Sequence, residues 1–191
     1  MKTFFLVLAS LLLFAMPAKA AFISLIPSDS DVFTGEFFDV EVWITDLQPD
    51  EVVFIMDLTA LFDPAVLNLI GSSFGSGLGG VTDSYQEHSG NSLYEYSFLD
   101  DVSLKALQGP AFTLFTLNFQ AIAPSLNSVI SLENNPFGLL NYELLGIETE
   151  IAFASINIEQ RAQNVPVPSS LPLLLLALTG LAHCRRTRCS R

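Results

Sequence analysis

The chain has 191 residues, half of them hydrophobic, with 20 acidic against 8 basic side chains and a formal net charge of −12. Every acidic residue lies between Asp29 and Glu159, where Lys105 and Arg161 are the only other charged groups near or within the stretch, so residues 21–164 carry −18 (20 acidic, 2 basic). A nucleic-acid or anionic-lipid partner is thereby excluded for this part of the chain, because either requires a basic face.

The first 20 residues read as an export signal. Lys2 supplies the basic start, residues 4–16 the apolar core, and Ala18 and Ala20 flank Lys19 in a small-residue cleavage site. Residues 21–160 have the length of one domain. Both cysteines, Cys184 and Cys189, lie beyond it, so its fold is expected to form without disulfides.

Within the domain the signal is a period of two. Residues 22–26 give a first short strand. In Phe37–Thr45, Phe38, Val40, Val42 and Ile44 fall on one face, with Asp39, Glu41 and Thr45 on the other. Residues 52–62 alternate likewise, placing Phe54, Met56, Leu58, Ala60 and Phe62 against Asp57 and Thr59. Residues 112–121 send Phe115, Leu117 and Phe119 together, with Thr113 out of step. Shorter candidate strands are residues 65–70, 92–99, 128–132 and 151–158. The best helical candidate, residues 101–107, is short. Turn chemistry is expected at Gln48-Pro49-Asp50, across residues 71–80, and at Gly109-Pro110, Ala123-Pro124-Ser125 and Asn134-Asn135-Pro136. Eight or nine short strands so spaced predict an all-β domain of two packed antiparallel sheets, with a closed barrel as the alternative.

The C-terminus departs from this pattern. A linker, residues 161–170, holds Val165, Pro166, Val167, Pro168, Ser169 and Ser170; a hydrophobic segment, residues 171–184, follows, and a basic tail, residues 185–191, carries Arg185, Arg186, Arg188 and Arg191. The apolar run 171–182 is shorter than the roughly 20 residues that cross a bilayer, although counting from Val165 to Cys184 reaches that length. Pro166, Pro168 and Pro172 disfavour helix in its first turns. The arginines would remain cytoplasmic while the domain is exported.

Few residues invite catalysis. His88 is the only histidine of the domain and stands in a polar stretch, residues 83–91, without a Gly-x-Ser-x-Gly elbow anywhere in the chain. Glu148 and Glu150 are spaced to share a strand face, as an exposed sheet edge also would be. Asp29 and Asp31, or Asp46, Asp50 and Glu51, offer carboxylates at spacings that calcium loops use, without the remainder of an EF-hand. His183, Cys184 and Cys189 are too few and too irregular for structural zinc, and no metal site is assigned. Exposed aromatics are the remaining binding candidates: Trp43, on the side of Asp39 and Glu41, and Tyr85, Tyr94 and Tyr96, of which the last two share a face with Phe98.

Two resemblances attach to these residues. The ordered block of Val165 to Pro168, the two serines, the apolar run and the arginines resembles a PEP-CTERM sorting domain, with Val167 where the name-giving motif has glutamate. That implies processing by an exosortase-like membrane protease at the inner membrane of a Gram-negative bacterium. The domain is similar to cohesin-like and carbohydrate-binding-module jelly-roll sandwiches. The likeness rests on the first strand at residues 22–26, on residues 33–42, on the Asp63-Pro64 corner within residues 61–69, and on residues 112–121 followed by 128–132.

Together these features lead to an expected exported, non-catalytic protein, briefly held in the inner membrane and then delivered to the cell surface or extracellular matrix. Its sandwich would bind polysaccharide or a protein partner in an exopolysaccharide or biofilm setting. The alternatives are a cohesin-like protein-docking module and a plain single-span membrane protein.

Overall fold

The computed structural model describes residues 20–161. The export signal, the sorting motif, the hydrophobic segment and the arginine tail fall on residues 1–19 and 162–191, apart from Ala20 and Arg161, and so lie outside the described residues. No helix among the described residues is long and apolar enough to cross a membrane.

Among the described residues, eleven strands and one short helix build a two-sheet sandwich. In chain order they are β1 (Ala21–Pro27), β2 (Asp31–Phe33), β3 (Phe37–Thr45), β4 (Ile55–Leu61), β5 (Leu67–Phe74), β6 (Ser84–Ser89), β7 (Ser92–Ser97), α1 (Asp101–Gln108), β8 (Ala111–Ala121), β9 (Ser125–Leu140), β10 (Thr149–Ile151) and β11 (Ala154–Glu159). The five-stranded sheet runs β10-β1-β3-β8-β5 and the six-stranded sheet β2-β11-β9-β4-β7-β6.

The alternation decides which side chains meet between the sheets. Val40, Val42 and Ile44 of β3 and Leu117 and Phe119 of β8 face Met56 and Leu58 of β4, Leu93 of β7, Ile130 of β9 and Ile156 of β11, all fully buried. Such burial of apolar surface, together with close packing, holds the two layers together. Phe119 is the hub of the aromatic packing, stacked on Phe38 at 5.7 Å and edge-on to Phe62 at 5.1 Å. The misplaced Thr113 has a physical cause. The β3–β8 register jumps from Val42↔Phe115 to Trp43↔Thr113, leaving Leu114 as an extra residue, and Leu114 and Phe115 are both buried on either side of the change of phase.

Several expectations shift. The pairing is not purely antiparallel, since β1 lies parallel to β10 and β11 parallel to β2. Residues 151–158 are not one strand: Ile151 ends β10 in one sheet, and after Ala152 and Phe153 the chain enters β11 in the other. Residues 52–54 precede β4, with Val52 and Val53 buried in succession in place of alternating. The Gly/Ser stretch from Gly71 starts as the second half of β5, and only after Phe74 does it become loop. There Gly75 is required, because a Cβ would collide with the Thr113 carbonyl oxygen. The polar stretch around His88 is the edge strand β6, and the Asn134-Asn135-Pro136 turn is a bulge inside β9, between Leu58↔Asn134 and Asp57↔Gly138.

Helix α1 extends one residue past its predicted end. Asp100 caps it, accepting from the Ser103 amide at 2.8 Å; the Ser103 side chain first, and then this amide, hold its carboxyl below the usual range. At its other end Gln108 is buried and acts as a surrogate strand. Its Oε1 accepts from the Val53 amide at 2.8 Å, while its Nε2 donates to Val53 O at 2.6 Å and to Gly77 O at 3.1 Å.

Candidate functional site

The strands β4, β7 and β6 turn their second face outward. On β7, Leu93, Glu95 and Ser97 point inward, so Tyr94 and Tyr96 point out. Antiparallel register sets their neighbours: Ile55 and Tyr85 lie opposite Tyr96, while Asp57 and Glu87 lie opposite Tyr94. The three tyrosine rings meet pairwise at 5.7 to 6.3 Å. Phe98 packs edge-on to Tyr96 at 5.0 Å, and Phe137, carried over from the β9 bulge, approaches Tyr94 at 6.4 Å. Phe98 is 58% exposed, Phe137 55% and Tyr85 46%. The result is a continuous aromatic surface on an uncovered sheet face, a feature that marks interaction sites.

Its polar groups are ordered. Asn135 of the bulge donates to Asp57 Oδ1 at 2.8 Å and accepts from the Thr59 hydroxyl at 2.7 Å, which pins the bulge to β4. The Tyr85 hydroxyl donates to Glu87 Oε2 at 3.1 Å, and that bond, with the carboxylate charge, holds the phenol above its ordinary range. Tyr94 is raised as well, first by burial and then by the charge of Asp57.

Trp43 does not join this surface. It lies on the five-stranded sheet, with its indole donating to Glu41 Oε2 at 2.8 Å, on the far side of the core from the tyrosines. The expected combination of Trp43 with Tyr85, Tyr94 and Tyr96 is therefore corrected to the three tyrosines alone. Phe137, Asp57 and Glu87 were missed as members. Asp57 could be read from the alternation of β4, but Phe137 is hidden in a turn-like Asn-Pro stretch whose return to the sheet needs the bulge.

The other candidates serve the scaffold. His88 reaches across the open side of the sandwich, its Nδ1 3.1 Å from Ser72 Oγ of β5 and its Nε2 2.7 Å from Gly90 O, so it laces together the edge strands of the two sheets. Neither contact is to a carboxylate. Asp29 Oδ1 accepts from the Asp31 amide, and Asp31 Oδ1 from Asn157, so both are turn and cross-strand acceptors. Asp46 stands at φ 60° ahead of the Gln48–Glu51 turn. Glu148 and Glu150 lie exposed at the β10 edge. Among the described residues, no group of three or more His, Cys, Asp or Glu is arranged to hold a metal ion.

One buried group remains. Glu95 is fully buried between the sheets, where Oε1 accepts from Ser84 Oγ at 2.7 Å and Gln86 Nε2 at 2.8 Å, while Oε2 has no partner. Burial pushes its carboxyl above the ordinary range, against the two hydrogen bonds.

By sequence, no family model and no curated protein matches the chain. By structure, a cohesin module from a Clostridium perfringens family 33 glycoside hydrolase superimposes with a TM-score of 0.57 at 11% identity, covering 75% of this chain and 99% of that one. The fold is cohesin-like. A type I cohesin–dockerin complex from Clostridium thermocellum gives 0.55 at 10% identity over 76% of this chain and 99% of that one. The sixth cohesin of Acetivibrio cellulolyticus scaffoldin B, in complex with a Cel5 dockerin variant, gives 0.55 at 14% identity over 74% and 100%. The cohesin-like sandwich thus takes up nearly the whole of each matched module.

Proposed function

We propose that the chain is a non-catalytic docking module that binds a protein partner through the aromatic face of β4, β7 and β6. The observation that carries this reading is a contiguous, uncovered surface of Tyr85, Tyr94, Tyr96, Phe98 and Phe137 on a cohesin-like sandwich. Similar folds have been solved with dockerins seated on them, which supports a protein ligand. The address follows from the sequence: an export signal, then a tail that an exosortase-like protease would process, delivering the sandwich to the cell surface or extracellular matrix of a Gram-negative bacterium. A polysaccharide is the second reading, favoured by Tyr85 and Tyr96, whose rings are only 31° apart in tilt and present sugar-stacking surface.

The test is capture of extracellular proteins by the immobilised full chain and by its Tyr94→Ala, Tyr96→Ala variant, beside a glycan array. Docking on this face predicts saturable capture of one defined protein, weakened at least about tenfold in the variant, as truncation of interface aromatics does. Capture that survives the substitutions, with glycan binding that does not, would transfer the face to the polysaccharide reading.

A further inference from the structure

The aromatic face also has a sign. Tyr94 stands between two carboxylates in cross-strand register, Asp57 of β4 on one side and Glu87 of β6 on the other. Direct cross-strand neighbours bring their Cβ atoms to about 5 Å, so both carboxylates border the exposed side of the Tyr94 ring. Both are engaged by neutral donors, Asp57 by the Asn135 amide and Glu87 by the Tyr85 hydroxyl, which orient them without cancelling their charge. The next row repeats the sign at its far end, where Glu133 lies exposed opposite Thr59. Lys105, one of the two basic residues between residues 21 and 164, is held by Asp101 on α1 at 2.9 Å.

We propose that Asp57, Tyr94 and Glu87 form a seat for an arginine side chain of the docked protein, an inference that rests on the docking reading above. A guanidinium can lie flat on the ring while its in-plane N–H groups reach carboxylates at both sides. It is also less strongly hydrated than an ammonium and so loses less on docking. Phe137 on one flank and Tyr85 with Tyr96 on the other shield the seat from water, which strengthens both interactions. Tyr94 is raised first by burial and then by the charge of Asp57, and Tyr85 first by its hydrogen bond to Glu87 and then by that carboxylate's charge. Residues 21–164, at −18, would draw a basic partner toward the domain from a distance, at a rate that salt lowers.

The seat is tested by NMR titration of the full chain with N-acetyl-arginine methylamide and with the matching citrulline compound, which keeps the shape and lacks the charge. The arginine compound is expected to shift the Tyr94 ring and residues 57 and 87, and the citrulline compound to leave them in place. Asp57→Asn with Glu87→Gln is expected to weaken the arginine compound by about tenfold with the dispersion of the core signals unchanged. Equal shifts from citrulline, or undiminished binding in the charge variant, would overturn the seat. The two readings separate cleanly. If the charge variant captures its protein as tightly as the parent while the Tyr94→Ala, Tyr96→Ala variant does not, the docking face stands and the arginine seat is refuted.

Discussion

Replacing Gln108 with leucine is expected to cost more stability than any exposed substitution in the domain. The side chain is buried and makes three hydrogen bonds: one to the Val53 amide, one to the Val53 carbonyl and one to the Gly77 carbonyl. Leucine has a similar volume, so the apolar term changes little, and the loss comes from leaving those backbone groups dry. An orphaned buried amide costs about 2 kcal/mol and each of two orphaned carbonyls about 1, for a total of about 4 kcal/mol. That is a large share of the roughly 5–15 kcal/mol that holds a domain together. Trp43 is the only tryptophan of the chain, so its fluorescence in a guanidinium titration reads the domain without interference. Gln108→Glu separates shape from hydrogen bonding. At neutral pH a carboxylate would face two carbonyls, whereas the protonated acid can again donate to Val53. Its folded-state pKa would be raised, so the variant's stability should be greatest at low pH and fall as pH rises. A loss below about 1 kcal/mol in Gln108→Leu would refute the reasoning, since it would mean that water reaches Val53 and Gly77 once the amide is gone.

Two further outcomes are expected. Glu95 has a carboxyl raised by burial, so the folded state holds its proton more tightly than the unfolded chain does. Its contribution is therefore intact below the unfolded value near 4.5 and is lost as pH rises from there through the folded value. Unfolding midpoints from pH 4 to 8 should show this decline in the parent chain, and Glu95→Gln should flatten it; parallel curves would rule the assignment out. If the tail is processed as its sequence suggests, mass spectrometry of protein released from the cell surface will find chains ending before Arg185, and an intact Arg191 would refute processing.

The strands of the core were legible because their alternation is strict. Val40, Val42 and Ile44, or Met56, Leu58 and Ala60, leave no other face to bury. Phase changes were less legible, because a bulge reads as a defect: Thr113 signalled one, but nothing local distinguishes the Asn134–Pro136 bulge from a turn. Edge strand β6 was hidden by polarity. Its residues alternate between solvent and a buried polar cluster, with Ser84 and Gln86 turned toward Glu95, so hydrophobicity carries no period there. The site was half legible. Tyr94 and Tyr96 declare their common face by spacing, but which sheet Trp43 occupies depends on strand order, and that is set by long-range pairing with β1 and β8.

The two parallel pairings have a consequence for how the chain comes to be folded. Residues of β1 and β2, the first of the domain to be synthesised, have as lateral neighbours β10 and β11, the last. Until the final dozen residues emerge, one margin of each layer lacks its closing strand, and the nascent half-sandwich presents open backbone to any strand nearby. Contacts so distant along the chain also form slowly. A cell making this protein has to keep it apart from its own copies for almost the whole of its synthesis, and the abundant negative charge of the domain, by mutual repulsion, helps to do so.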